Sequence, residues 1–157
     1  MNILLIYGTN SSGTAEVAEH ISTVLRSHGH QVTIQHARET TPEILNQPTD
    51  LIILGSCTWE RFTSDGERLE GQLQHHMYQL LENANPPAGR AFALFALGDS
   101  SYTDFCRAAD HLEAAVKGWS GTNIAPTLRV DAYFFDLEKN RARVDEWATS
   151  LAGLLKK

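Results

Sequence analysis

Cysteine is almost missing from this chain. Cys57 and Cys106 are the whole complement, so no disulfide framework is expected and the composition suits a reducing cytoplasm. No apolar run approaches the length of a bilayer span. The short N-terminal apolar run has no basic segment before it, so it does not read as a signal peptide. Positive charge is also in deficit: 13 Lys and Arg stand against 19 Asp and Glu, a net charge of −6. That balance disfavours nucleic acid and anionic membranes as partners and favours basic protein surfaces. Repeats, low-complexity tracts and linkers are missing too, and Asn85-Pro86-Pro87-Ala88-Gly89 reads as a loop within one unit. What remains is ordinary: 157 residues with 42% hydrophobic and 20% charged residues. One domain over residues 1–157, with a substantial core and a monomeric state, is the expectation.

Apolar runs of strand length alternate with helical periodicity along the chain. Strands are expected at 2–7, at 31–36 as a half-buried edge, at 50–55, at 90–97 and, more weakly, at 127–130. Helices are expected at 14–28, 67–83, 104–118 and 137–155, with a short helix start at Thr41-Pro42-Glu43. Leu69, Leu73, Met77, Leu80 and Leu81 form the inward stripe of the second long helix. Strands alternating with helices imply parallel pairing, right-handed crossovers and helices on both faces of one sheet. In such α/β folds ligands bind outside the carboxyl ends of the strands, where the strand order reverses.

Three turns at that edge carry the chemistry. Asn2–Tyr7 runs into Gly8-Thr9-Asn10-Ser11-Ser12-Gly13-Thr14 and then directly into a helix. Backbone N–H groups and the positive end of the helix dipole make this an anion site, with hydroxyl and amide side chains as further donors. No Lys or Arg precedes Arg26, and Thr14 stands where a Walker A motif needs Lys, so a phosphate here would be held without a cation. The second turn is Gly55-Ser56-Cys57-Thr58-Trp59-Glu60-Arg61-Phe62, and the third is Leu97-Gly98-Asp99-Ser100-Ser101-Tyr102-Thr103-Asp104-Phe105-Cys106. Each sets an aromatic residue four positions beyond its glycine, so Trp59 and Tyr102 are candidates to enclose a flat conjugated ring. Asp99 is placed to accept from a ring N–H.

At these residues the chain resembles the flavodoxin family, in its short-chain form. The most specific piece is Gly98 to Tyr102 with Phe105-Cys106, then Gly55 to Trp59, and the phosphate turn matches most loosely. The resemblance implies a three-layer, doubly wound, five-stranded parallel sheet of order 2-1-3-4-5. It implies one non-covalently bound FMN and a low-potential electron-carrying role between reductase and acceptor proteins, which would dock transiently at an acidic rim. It places the phosphate on Thr9, Asn10, Ser11, Ser12, Gly13 and Thr14. The ring would lie between Trp59 and Tyr102, with Ser56, Cys57, Thr58, Glu60, Leu97, Gly98, Asp99, Phe105 and Cys106 around it.

The chain departs from that family's pattern at several positions. Ser12 holds the usual Gly place and Gly13 the usual Asn place, which moves backbone freedom by one residue. Cys57 replaces a stronger hydroxyl donor. Glu60 follows the tryptophan where the family usually has Gly, whose peptide turns over when the flavin gains one electron. A non-glycine there implies a weaker hold on the one-electron-reduced cofactor. Arg61 should raise the potential, while Glu60, Asp65, Glu67, Asp99 and Asp104 lower it.

Competing readings have less support. The seven histidines show no closing ligand spacing; Glu16 and His20 share a helix face, and His75-His76 are adjacent, but solvent-facing histidines are expected. Cys57 and Cys106 read as structural thiols, and Trp119 and Trp147 as packing residues. A receiver domain needs an acidic pair after the first strand, where Tyr7-Gly8 stands. An FMN-dependent NAD(P)H–quinone oxidoreductase is the enzymatic alternative, but the chain carries no second dinucleotide fingerprint. A cofactor-free accessory protein is the third reading.

Overall fold

The computed structural model describes residues 1–9, 12–99 and 106–155, with the side chains of residues 60–62 left aside. Its centre is a parallel sheet formed by β1 (Asn2–Gly8), β2 (Gln31–His36), β3 (Leu51–Phe62) and β5 (Ala91–Gly98) in the order β2-β1-β3-β5. Ile3–Ile6 of β1, Leu51–Leu54 of β3 and Ala91–Leu97 of β5 are unbroken apolar stretches, and the alternation sorts these side chains into two cores. Ile3 and Leu5, Leu51 and Ile53, and Ala93, Phe95 and Leu97 face one way. Leu4 and Ile6, Ile52 and Leu54, and Phe92, Leu94 and Ala96 face the other.

Helices α1 (Ser12–Ser27) and α4 (Leu137–Leu154) cover the first face. Val17, Ala18, Ile21 and Leu25 pack there with Val144, Ala148, Leu151 and Ala152. Helices α2 (His75–Glu82) and α3 (Arg107–Gly118) cover the second through Met77, Leu80, Ala108, Ala109 and Leu112. Two polar contacts tie α1 to α4: a hydrogen bond between His20 and Asp145 at 3.1 Å and an ion pair between Arg141 and Glu16 at 3.3 Å. Glu16 and His20 thus share a face, as the spacing predicts, but each binds α4. Trp119 packs on Phe92, and Trp147 donates its indole N–H to the Pro126 carbonyl. Among the described residues no helix is long and apolar enough to cross a membrane.

Two expectations need correction. The fifth strand is split: β6 (Thr122–Asn123) pairs with the start of β5 and β7 (Leu128–Asp131) with its end. Pro126, which has no N–H to donate, lies between them. The helix expected over 67–83 begins only at His75, because Arg68–Leu73 is β4, antiparallel to the end of β3. With β6, β7 and β4 the sheet has seven strands among the described residues rather than five. Leu69 and Leu73 satisfy a helical stripe, but Leu69, Gly71 and Leu73 also alternate. The deciding signal is Asp65-Gly66, a hairpin-turn dipeptide. Gly66 has φ +83°, its N–H bonds to the Thr63 carbonyl, and Thr63 N–H bonds to the Glu67 carbonyl.

The segment Gly55–Phe62 is therefore strand rather than loop. Its pairing slips by one residue between Trp59 and Arg61, a bulge that sets Glu70 and Gly71 opposite Glu60. Gly71, at φ +63°, supplies the left-handed residue this needs. His111 of α3 reaches the Gly71 carbonyl at 2.8 Å and fixes the hairpin against the helix.

Candidate functional site

The register brings the ends of the central strands to one height. Gly8 stands beside Ser56, Ser56 beside Ala96, Cys57 beside Leu97 and Leu97 beside Val130. The strand order reverses at β1, whose neighbours β2 and β3 lie on opposite sides, so the crevice at its carboxyl end is where this architecture binds ligands. Thr9, Ser12, Gly13 and Thr14 meet there, with Ser56, Cys57, Thr58 and Trp59 on β3, Leu97, Gly98 and Asp99 at the end of β5, and Cys106 before α3. Asn10, Ser11, Tyr102 and Phe105 lie outside the described residues, as does the Glu60 side chain.

Thr14 is the most informative member of this group. It is fully buried in the first turn of α1, and its Oγ1 has no hydrogen-bond partner among the described residues. A buried hydroxyl without a partner is unfavourable by about 1–3 kcal/mol. Its place at the N-terminal end of a 16-residue helix suits an acceptor carrying negative charge. The residues present therefore fit a phosphate at this turn. Gly13 shows a different use from the one expected. It is helical and buried, and a Cβ there would lie 3.3 Å from both Leu97 Cδ2 and Phe134 Cε2. Close packing, not a left-handed turn, accounts for it.

The β3 wall is held from behind. Ser56 Oγ donates to the Cys57 carbonyl at 2.8 Å and accepts from Gln74 N–H at 3.0 Å. The buried Gln74 caps α2, its Oε1 accepting from His76 N–H at 2.9 Å and Met77 N–H at 3.1 Å. Thr58 Oγ1 accepts from Ala108 N–H in the first turn of α3 at 3.2 Å. The side chains of Ser56 and Thr58 thus brace the wall. Trp59 stands at its lip, 51% exposed.

Cys106 is buried at φ 48°, with its Sγ against the Ala96 and Val130 carbonyls. Burial pushes its thiol pKa up to about 12. Cys57 is partly exposed, and neither cysteine is in a disulfide. Iodoacetamide at mildly alkaline pH should modify Cys57 and spare Cys106 in the native protein, as peptide mass mapping would show. Arg129 locks the neighbouring corner, donating to the Cys106 carbonyl, Asp110 and Glu113.

Sequence reasoning missed two groups at this edge. One is Tyr133-Phe134-Phe135 after β7, with Phe135 95% exposed; three consecutive aromatics in a loop were the available signal. The other is His36, expected at the surface but buried at the end of β2 between the rings of Tyr7 and His76. No periodicity marked it.

Comparison with known proteins places this geometry in a family. The flavodoxin family profile matches residues 5–142. The chain is 35% identical over 147 residues to a flavodoxin of Nitratidesulfovibrio vulgaris, covering 94% of each chain. It is 29% identical over 131 residues to a probable flavodoxin 2 of Bacillus subtilis, covering 82% of this chain and 81% of that one. The crystal structure of oxidised flavodoxin 2 from Bacillus cereus superposes with a TM-score of 0.79 at 28% identity, covering all of both chains. The chain belongs to the flavodoxin family. It is an electron carrier that works through FMN, rather than an enzyme.

Proposed function

We propose that a single domain over residues 1–157 holds one FMN in the crevice at the carboxyl end of β1. Thr9, Asn10, Ser11, Ser12, Gly13 and Thr14 take the phosphate, and Trp59 and Tyr102 enclose the ring. Cys57, Glu60, Leu97, Gly98, Asp99, Phe105 and Cys106 surround its polar edge, largely through backbone, while Ser56 and Thr58 support the wall from behind. The FMN supplies the one-electron chemistry; the protein sets how tightly it is held and how far it is exposed. The observation that carries this reading is the buried Thr14 hydroxyl at the head of α1, which has no partner among the described residues, in a turn without a basic residue.

A monomer docking transiently with a donor reductase and acceptor proteins at its acidic rim fits the net charge of −6. Free thiols fit a cytoplasmic setting. Glu60 in place of a glycine disfavours the turned-over form of the peptide after Trp59 and implies a weaker hold on the one-electron-reduced cofactor.

Titrating FMN and, separately, riboflavin into the apoprotein tests the site. FMN should quench at one equivalent per chain, with tryptophan emission falling in parallel as Trp59 is covered. Riboflavin should bind more weakly, by the contribution of the phosphate. Equal affinity for the two would remove the phosphate turn from the site.

A further inference from the structure

The turn that follows β7 is held at several points. Ala132 takes a left-handed conformation at φ 45°, and its N–H bonds to the Gly98 carbonyl at 2.7 Å. Phe135 N–H returns to the Ala132 carbonyl at 2.9 Å. From α4 the buried Asn140 sets its Nδ2 3.0 Å from the Asp131 carbonyl, 3.3 Å from that of Ala132 and 3.2 Å from that of Tyr133. A buried amide shared among three successive carbonyls fixes where the side chains of this turn stand. Tyr133 joins the core shared by α1 and α4. Phe134 meets the Tyr133 ring edge-on at 5.1 Å between centroids, yet it remains 54% exposed.

What Phe134 covers is the head of α1. A Cβ on Gly13 would lie 3.3 Å from Phe134 Cε2, 3.3 Å from Leu97 Cδ2 and 3.8 Å from Tyr133 Cδ2. The ring therefore stands where a side chain at position 13 would go. Gly13 is buried, and the next residue is Thr14, fully buried, whose hydroxyl has no partner among the described residues. No Lys or Arg precedes Arg26 in the sequence, and Arg141, which reaches α1 from α4, is paired with Glu16 at 3.3 Å. A phosphate at this turn would be held by hydroxyls, backbone N–H groups and the helix dipole, partial charges that water screens strongly. An apolar wall that keeps water off the turn lowers the local dielectric and strengthens each of those attractions.

We propose that Phe134 is a specificity residue for the phosphorylated flavin: standing in the space that Gly13 leaves, it walls the phosphate turn against water and so strengthens a phosphate site that has no cation. The inference rests on FMN binding at this turn and adds to it a side chain from a different element. The braced backbone of residues 131–135 sets the ring in place before any ligand arrives, so no ordering cost falls on binding. Phe135, on the same turn and 95% exposed, provides an internal control.

Apoproteins of Phe134→Ala, Phe134→Leu and Phe135→Ala are titrated with FMN and with riboflavin, and their thermal midpoints are recorded. Phe134→Ala should weaken FMN binding by about five- to tenfold, the difference between an anion at a partly buried and at an exposed helix N-terminus. Its riboflavin affinity should be essentially unchanged. Phe134→Leu refills the space with an apolar side chain and should keep most of the FMN affinity, and Phe135→Ala should bind both flavins as wild type does. Undiminished FMN binding in Phe134→Ala would overturn the proposal. Parallel loss of both flavins, with or without a lower thermal midpoint, would mean a general structural role and overturn it too. An equal loss of FMN affinity in Phe135→Ala would assign the effect to the whole turn and have the same force. A wild-type protein that does not distinguish FMN from riboflavin would instead overturn the phosphate-turn reading on which the proposal rests.

Discussion

Replacing Thr14 by valine should weaken FMN binding by about ten- to a hundredfold and leave the apoprotein as stable as before, or slightly more so. The two effects come from one atom. Oγ1 is buried without a partner, so its desolvation is uncompensated in the protein alone. Valine keeps the branched shape and helix rotamer of threonine and removes that polar atom, a change that is nearly neutral or stabilising for buried groups. On the proposed reading the same hydroxyl gains a charged acceptor when FMN binds, and hydrogen bonds to charged groups contribute about 1.5–3 kcal/mol. Chemical denaturation of the apoprotein and flavin-fluorescence titration measure the two halves independently. A variant that lost apoprotein stability together with FMN affinity would show the hydroxyl to be structural. Riboflavin should bind wild type and variant alike.

The second large effect concerns Gly55, at the point where β3 leaves the core for the site. In register it stands between Tyr7 and Phe95, and a Cβ there would lie 1.9 Å from Phe95 Cζ. Phe95 is fully buried, with Ala93 and Leu97 in the same layer, so its ring has no free volume to move into. Gly55→Ala should therefore destabilise the protein by about 3 kcal/mol, at the upper end of the overpacking range, seen as a lower urea midpoint at unchanged slope. Shortening the opposing ring with Phe95→Leu in the same chain should restore part of that loss, because neighbouring substitutions couple. The double variant should also regain FMN binding, since Trp59 follows Gly55 on the same strand.

These two residues also mark what the sequence allowed. The near-unbroken apolar runs around Leu5, Ile53 and Leu94 announced strands covered on both faces, and the glycines ending them announced the ligand edge. Regular alternation of elements then dictated a parallel sheet, and the order β2-β1-β3-β5 followed from the resemblance. The hairpin was harder because Leu69 and Leu73 belong to two periodicities at once. Only the Asp65-Gly66 turn discriminated between them, and it lay outside the leucine stripe. His36 and Gln74 were not legible at all. Both meet residues distant in sequence, Tyr7 and His76 for one and Ser56 for the other, and no local spacing encodes such contacts. Thr14 was legible as a candidate phosphate donor because that reading is local: a hydroxyl in the first turn after a strand.

Strand β4 carries a further consequence. It pairs with β3 along one side only, and among the described residues no other strand meets its outer side. Such a margin is where separate chains add to one another and precipitate. Here Arg68 and Glu70 sit on it as an ion pair at 3.3 Å, and His111 occupies the Gly71 carbonyl. The chain thus presents a charged, partly stoppered margin beside its ligand crevice, which discourages self-association.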